Sequence, residues 1–153
     1  ALSYGCVLRE GESLSSERVL ARVGPSIMPG VHAQWEAKYG PGANLGMSPD
    51  SEVADTYEAY LQEFSATHGT PSDRLYLDAH RGHMVFLKPG EEQFATPELM
   101  ARSLTGTGPE IIEKLERMEA TGINNVAVSV TNAEGARDLI QDFGREVIAK
   151  REK

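Results

Sequence analysis

Two histidines in the middle of the chain, His80 and His83, form its one clustered pair of potential metal ligands. On a helix their spacing places both rings on one face, and on a strand it places them on opposite faces. A catalytic zinc site needs a third protein ligand, and the His-Glu-x-x-His pattern of zinc proteases is absent. We therefore predict no metal site. Two alternatives stay open: a neutral imidazole facing a pocket, since histidine titrates near pH 6.5, or two rings in ordinary structural hydrogen bonds.

A second candidate is the turn formed by Thr105, Gly106 and Thr107, which lies between a predicted strand and the predicted helix that begins at Pro109. Free N–H groups and the positive end of the helix dipole suit such a turn to anions. Neither a Walker loop nor a Gly-x-Gly-x-x-Gly fingerprint is present. The alternative is a capping box, in which Thr107 and Glu110 satisfy the amides themselves.

Other catalytic signatures are missing from the sequence. Neither a Gly-x-Ser-x-Gly segment nor a cysteine nucleophile motif occurs, and Cys6, the single cysteine, has no partner for an internal disulfide. The sequence shows no recognisable Ser/His/Asp arrangement. The residues alone therefore predict an α/β domain without a recognisable nucleophile.

Composition and charge exclude several classes of partner. The 153 residues carry 15 Lys plus Arg against 23 Asp plus Glu, a formal charge of −8. Such an acidic balance argues against nucleic acid and against anionic membranes. No apolar run approaches the roughly 20 residues that span a bilayer, and the first residues lack the regions of a signal peptide. We expect a cytoplasmic protein. Its start within a predicted strand, without Met, indicates either a processed end or part of a longer protein.

The elements that must position these residues are clearest in the last third, where strand, helix, strand and helix alternate with short connections. Such an order predicts a parallel sheet covered by helices, within a single domain over residues 1–153. Parallel strands are expected at Leu2–Leu8, Ser103–Thr105 and Val126–Val130. Helices are expected near residues 50–66, 109–121 and 133–150, the last capped by Asn132.

The apolar pattern also predicts the core. A helix that begins after Ser15 or Ser16 is expected to break at Gly24–Pro25, and a second stretch to continue to Tyr39. Two aromatic stripes are expected in the core: Val31, Trp35 and Tyr39, and Tyr57, Tyr60 and Phe64. Strand Val126–Val130 is expected to be buried. The inner face of the final helix is expected to carry Ala136, Leu139, Ile140, Phe143 and Val147.

Three segments resemble the end of the bacterial luciferase-like family of flavin- or deazaflavin-dependent oxidoreductases: Leu104–Leu115, Ala120–Val128 and Phe143–Ile148. They are similar to the family's cap of the seventh helix, its turn into the eighth strand and the segment that ends its barrel. Ser3–Leu8 resembles the sixth strand. The segment His80–His83 resembles a His-x-Gly-His stretch in a methylene-tetrahydromethanopterin reductase-like branch. The sequence departs from the family pattern at Gly108, an extra glycine beside Pro109 of the cap.

The resemblance implies a partial (β/α)8 barrel, because a complete one needs about 250 residues and this chain would supply the C-terminal half. The parent enzyme would use reduced FMN or deazaflavin for hydride transfer or monooxygenation of a small organic substrate. This chain alone is expected to bind no cofactor and to be inactive, and no catalytic residue is carried over. Candidate cofactor or substrate-pocket residues are Tyr4, His80, His83, Thr105, Gly106 and Thr107.

The alternative is a non-catalytic half-barrel that acts as a binding or assembly module. Half a barrel leaves unpaired strand edges and an apolar inner face, which recruit partners. We therefore expect a homo-oligomer, specifically a two-fold dimer. Its interface is expected to include residues of Leu2–Leu8 or the helix that carries Trp35.

Overall fold

The computed structural model describes residues 1–40, 46, 48–130 and 133–151, with the backbone alone for residues 133 and 134. Its contacts divide the chain into two compact units. Unit 1 is Ala1–Gly24 together with Ala95–Lys153, and unit 2 is Pro25–Phe94. In the described ranges, none of the helices combines the length and the apolar character that crossing a membrane requires.

Unit 1 is built on a three-stranded sheet of β1 (Leu2–Val7), β2 (Leu104–Gly106) and β3 (Ala127–Ser129). Both pairings are parallel, and the strand order is β2-β1-β3. The α/β class, the parallel sheet and the strand positions predicted from the sequence are confirmed. Parallel strands need crossover connections, and here these contain helices.

Strand β1 lies in the centre of the sheet. Its first half pairs with β3, Leu2 standing opposite Ala127, and its second half pairs with β2, Gly5 standing opposite Leu104. Strand β1 is therefore not an edge strand of this sheet. Among the described strands, β3 is an outer one, and Val130 just after it is exposed. The expectation of a buried final strand is wrong for the same reason.

Helices lie near the predicted residues 50–66, 109–121 and 133–150, whereas the helix at Leu75–Ala79 was not predicted. The helices are α1 (Glu17–Lys38), α2 (Ser51–His68), α3 (Leu75–Ala79), α4 (Pro97–Met100), α5 (Gly108–Ala120), α6 (Ala133–Phe143) and α7 (Ala149–Arg151). A π-helical turn, Gly144–Ile148, joins α6 to α7, and short 3-10 turns cover Ser72–Arg74 and Glu91–Phe94. Asn132, the predicted cap of the final helix, lies outside the described residues.

Helix α1 runs without the predicted break, and Pro25 and Pro29 both lie inside it. An interior proline removes one backbone hydrogen bond and costs about 3 kcal/mol. Burial of a long apolar face offsets this cost, because tertiary packing supplies most of the stability of protein helices. The buried residues of that face include Val19, Val23, Met28, Val31 and Trp35.

The core of unit 1 joins the sheet to the last helices. Its buried members are Val7, Leu104, Ile111, Phe143 and Val147. Ile140 was expected to face this core, but it is 71% exposed. The strict period of an α-helix assigns Ile140 to the inner face, whereas β3, with one strand neighbour, covers too little surface to bury it.

The core of unit 2 is aromatic. Helix α2 begins at the cap Asp50, whose carboxylate accepts from the amides of Glu52 and Val53, and it ends at Gly69 with φ 69°. The buried cluster holds Met28, Val31, Trp35, Tyr57, Leu61, Leu75, Ala79 and Phe94. Tyr39 was expected in this core, but it is 46% exposed and its hydroxyl donates to Asp55. Tyr39, one residue beyond the end of α1, therefore lies outside the core.

A guanidinium–carboxylate pair in unit 1 fixes the segment after β1. Arg18 donates to Glu12 at 2.5 Å and to the Val7 carbonyl at 2.8 Å, and the Arg9 amide donates to Glu12 at 2.8 Å. These hydrogen bonds, chiefly the one from Arg18, lower the pKa of Glu12 from 4.5 to about 2. Glu12 therefore ties β1 to the start of α1.

The variant Glu12→Gln tests this contribution. At pH 7 we expect the free energy of unfolding to fall by about 1–2 kcal/mol, less than the full pKa shift, because the pair is partly exposed. The folded-state pKa is depressed, so the stabilisation is present above the unfolded-state pKa and disappears as the pH falls towards 2. Urea unfolding at pH 7 and pH 2.5 (~0.5 above the folded pKa) measures the difference. The exposed Glu10→Gln is the control, and an equal loss at both pH values would contradict the assignment.

Candidate functional site

Three histidines of unit 2 come together although they are distant in sequence. His32 lies on α1, His80 directly follows α3, and His83 lies in the turn after it. The Nδ1 atom of His83 is 3.3 Å from Nδ1 of His32 and 3.3 Å from Nδ1 of His80. The three potential ligand atoms all lie within 4.8 Å of one another. We call these three residues the histidine cluster.

An unusual turn holds His83 in place. Helix α3 ends at Ala79, and the amide of His83 then donates to the carbonyl of His80 at 3.0 Å. The residues on either side of His83, Gly82 and Met84, have positive φ values of 73° and 60°. Left-handed backbone is uncommon for a residue with a side chain and tends to occur at functional sites. The turn therefore points to a constraint on the position of His83.

Each of two rings in the cluster has a carboxylate beside its second nitrogen. The Nε2 atom of His80 lies 2.7 Å from Oε1 of Glu36, one turn along α1 from His32. The Nε2 atom of His32 lies 3.6 Å from Oε1 of Glu91. The hydrogen bond to Glu36 favours the His80 tautomer that carries its proton on Nε2, and this assignment leaves Nδ1 of His80 as an acceptor that faces the cluster. At 3.6 Å, Glu91 lies beyond hydrogen-bonding distance of His32, and Nε2 of His32 has no hydrogen-bond partner among the described residues.

A buried ion pair supports the inner side of the cluster. The Lys88 ammonium contacts Oε1 of Glu91 and donates to the Ala79 carbonyl at 3.1 Å. The Tyr57 hydroxyl donates to Oε1 of Glu91 at 3.1 Å, and the Lys88 amide donates to Oε2 at 2.8 Å. Glu91 and Lys88 are both almost completely buried. One network therefore holds both the end of α3, at Ala79, and the Glu91 carboxylate beside His32.

Burial sets the protonation of the cluster. Burial, reinforced by the Lys88 charge, lowers the pKa of His32, and burial with the His80 charge lowers the pKa of His83. Burial alone would raise the pKa of Glu91, but hydrogen bonds from its neighbours, Lys88 among them, hold it below its ordinary value. At neutral pH two of the rings are therefore uncharged, and the carboxylate between His32 and Lys88 is ionised.

The other candidate residues lie in unit 1, where the strand ends carry them. Thr105 and Gly106 belong to β2, and Thr107 is the cap of α5. The amide and the hydroxyl of Thr107 both donate to Oε2 of Glu110, at 2.7 and 2.8 Å. The predicted capping box is confirmed. The chain's own carboxylate thus occupies the place where an external anion was considered, and its pKa is lowered by these hydrogen bonds.

Thr105 and Tyr4 serve the sheet. Thr105 is buried, its hydroxyl contacts Ser103, and its carbonyl accepts from Lys114 at 2.7 Å. Tyr4 stands on β1 opposite Ser129. A cavity of about 290 Å³ opens beside Gly106 and Glu110 at the carboxyl end of β2. The structure therefore groups Thr105, Gly106 and Thr107 at one strand end, whereas His80 and His83 belong to unit 2.

His80 and His83 were predicted from the sequence as candidate residues, whereas the other members of the site were not: His32, Glu36, Lys88 and Glu91. His32 and Glu36 are four residues apart on one helix, a spacing that places them on one face. That pair was a detectable signal. The distance of 51 residues between His32 and His83 hid the third ring, because no local spacing links the two segments.

The variant Lys88→Met tests the buried ion pair. We expect the free energy of unfolding to fall by about 3 kcal/mol, because Glu91 would remain buried without a cation. Adding Glu91→Leu to the same chain should recover a large part of the loss, since it removes the uncompensated charge. Urea unfolding is the measurement, and Lys38→Met, whose ion pair with Asp55 is exposed, is the control with a small effect. Equal losses for the two single variants would contradict a special role of Lys88.

No family model, no curated protein and no solved structure matches the chain. The parallel strands of unit 1, each followed by a helix, are the observation from which a function is inferred.

Proposed function

We propose that the chain is part of a luciferase-like oxidoreductase of the cytoplasm. The complete enzyme would use reduced FMN or deazaflavin for hydride transfer to, or monooxygenation of, a small organic substrate. The chain would form the C-terminal half of its (β/α)8 barrel. The family resemblance of three segments in the last third of the sequence motivates the proposal.

The observation that carries the proposal is the parallel sheet in which a helix follows each strand. β1 is followed by α1, β2 by α5 and β3 by α6. Repeated strand–helix units with parallel strands are the building blocks of a (β/α)8 barrel. The capping box of Thr107 and Glu110 lies at the junction of β2 and α5, where the resemblance places the cap of the seventh helix.

The strand order adds a requirement. Consecutive strands of a (β/α)8 barrel are neighbours, whereas β1 lies between β2 and β3 here. In a complete barrel β2 would lie between the other two, so β3 would have to leave β1 and pair with β2. Among the described strands, β2 has one neighbour, and its second edge is available for that pairing.

The residues at the end of β2 do not fit the phosphate of a flavin by themselves. The Thr107 amide and hydroxyl are both engaged by Glu110, so the turn offers no free donor from that residue. We therefore propose that Tyr4, Thr105, Gly106 and Thr107 shape the barrel and that other parts of the enzyme supply the cofactor pocket. Active sites of these barrels lie at the carboxyl ends of the strands.

The natural protein that contains this sequence is expected to bind FMN or a deazaflavin. Otherwise it is expected to catalyse a reaction in which the reduced cofactor becomes oxidised and a small organic substrate is converted. The 153-residue chain is expected to bind neither cofactor tightly and to turn over no substrate, because half a barrel lacks most of the pocket. Native purification with intact mass and visible absorbance tests the first statement, and fluorescence titration tests the second. A natural protein of this length without affinity for either cofactor would contradict the proposal, as would tight stoichiometric binding by this chain.

A second candidate function, an assembly module that forms a homodimer, is favoured by an apolar cavity of about 410 Å³ beside β3 and α6. Its lining includes Val128, Ile140 and Ile148, and the two isoleucines are more than half exposed. The side chain of Trp35, whose helix was a predicted interface, is buried within the chain. The cavity is therefore the better surface for a second copy of the chain.

The variant Ile140→Ser tests this dimer. If a second copy covers the cavity over about 1,000 Å² or more, the variant should shift the chain from dimer to monomer at micromolar concentration, because an exposed apolar contact is lost. Leu2→Ser is a matched control with nearly the same exposure, 70% against 71%, within the other predicted interface. Light scattering gives the masses. A monomeric wild type contradicts the module, and dissociation by the control alone would place the interface at β1.

A further inference from the structure

We infer that the histidine cluster, His32, His80 and His83, binds one divalent transition-metal ion of the zinc type through three imidazole nitrogens. The three residues provide three ligands and leave one coordination position open. Structural zinc sites use four protein ligands, whereas three ligands with an open position are typical of sites that bind water or substrate. This inference goes beyond the proposed oxidoreductase function and does not rest on it.

The distances between the nitrogens match a tetrahedral ion. Zinc–nitrogen bonds of 2.0–2.1 Å place two ligand nitrogens of a tetrahedron ~3.3–3.4 Å apart. His83 Nδ1 lies 3.3 Å from Nδ1 of His32 and 3.3 Å from Nδ1 of His80. The remaining pair lies within 4.8 Å, so one ring has to move by at most about 1.4 Å to reach the tetrahedral separation. The exposed His80 ring has the room to make this movement.

The protons of the cluster are not satisfied without an ion. His80 directs Nε2 at Glu36, so its Nδ1 accepts. The Nδ1 atom of His83 carries either one proton or one lone pair, so it can form a good hydrogen bond with His80 or with His32 but not with both. One close nitrogen pair therefore always lacks a good hydrogen bond. A metal ion bound to three lone pairs removes this conflict.

The surroundings of the rings are those of a metal site. A ligating histidine usually donates its other ring nitrogen to a carboxylate, which orients the ring and strengthens it as a ligand. Glu36 accepts in this way from Nε2 of His80 at 2.7 Å, and Glu91 lies 3.6 Å from Nε2 of His32. Lys88 neutralises Glu91, and Arg81 is paired with Asp78 at 2.9 Å. Glu36 is thus the carboxylate that remains to balance an added cation.

The ligand type and the exposure define which ion enters and from where. Imidazole nitrogens suit zinc, copper, nickel and cobalt, whereas magnesium and calcium prefer oxygen. His32 is 2% exposed, while the side chain of His80 is 42% exposed. The ion therefore reaches the cluster from the side of His80, and the open position faces that side.

Titration of the chelator-treated chain with Zn²⁺ and with Co²⁺ tests the site. Calorimetry should give one ion per chain, and bound Co²⁺ should show the intense visible absorption of a tetrahedral ion. Mg²⁺ should neither bind nor compete. Absence of Zn²⁺ binding, or a Co²⁺ spectrum like that of the free ion, would overturn the inference.

Variants locate the ion on the three rings. His80→Ala and His83→Ala should each weaken Zn²⁺ binding by at least 100-fold, and Glu36→Gln should weaken it by 10–100-fold through the orientation of His80. His68→Ala is the matched control, because His68 is the remaining histidine and stacks on Phe64 at 4.1 Å between ring centres, outside the cluster. Circular dichroism of each metal-free variant confirms folding.

The pattern among the variants decides the outcome. Loss of binding in His80→Ala or His83→Ala with retention in His68→Ala supports the site. Unchanged affinity in both cluster variants, or an equal loss in His68→Ala, would show that Zn²⁺ binds elsewhere and would overturn it. If a cluster variant does not fold, Glu36→Gln, which removes no ligand, decides in the same way through its affinity and its Co²⁺ spectrum. None of these results depends on flavin binding.

Discussion

The buried carboxylate of Glu91 is the group on which the organisation of unit 2 depends. A buried charge is costly unless it is paired and hydrogen-bonded. Glu91 meets this demand with the Lys88 ammonium and amide and with the Tyr57 hydroxyl. Through Lys88 it also holds the carbonyl of Ala79, immediately before His80. The same carboxylate faces His32, so one charge fixes elements that are far apart in sequence.

The two carboxylates beside the cluster are set in different electrical surroundings. Glu91 is neutralised by a cation in the core, whereas Glu36 is half-buried and has the His80 ring as its neighbour. Glu36 therefore places a carboxylate at the exposed side of the histidine cluster, directly beside His80. A cation bound by the three rings would have this carboxylate as its neighbour.

Local physical signals were enough for most of the secondary structure but not for its arrangement. The capping box at Thr107 and the three strands depend on neighbours within a few residues, and these predictions are confirmed. The break at Gly24–Pro25 and the burial of Ile140 depend on what packs against each helix, and both predictions were wrong. The histidine cluster belongs to the second kind, since His32 joins it through tertiary packing.

Strand order distinguishes the observed sheet of unit 1, in which β1 is central, from the sheet of a (β/α)8 barrel, in which β2 would be central. A parallel pair is stabilised by hydrogen bonds that either neighbour can supply, so local sequence does not choose between β1 and β2 as the partner of β3. Each pairing of β1 uses a different half of the strand, Leu2–Tyr4 for β3 and Gly5–Val7 for β2. Transferring β3 to β2 would therefore leave the β1–β2 pairing intact. The sheet described here and the sheet of a barrel therefore differ in the strand that pairs with β3.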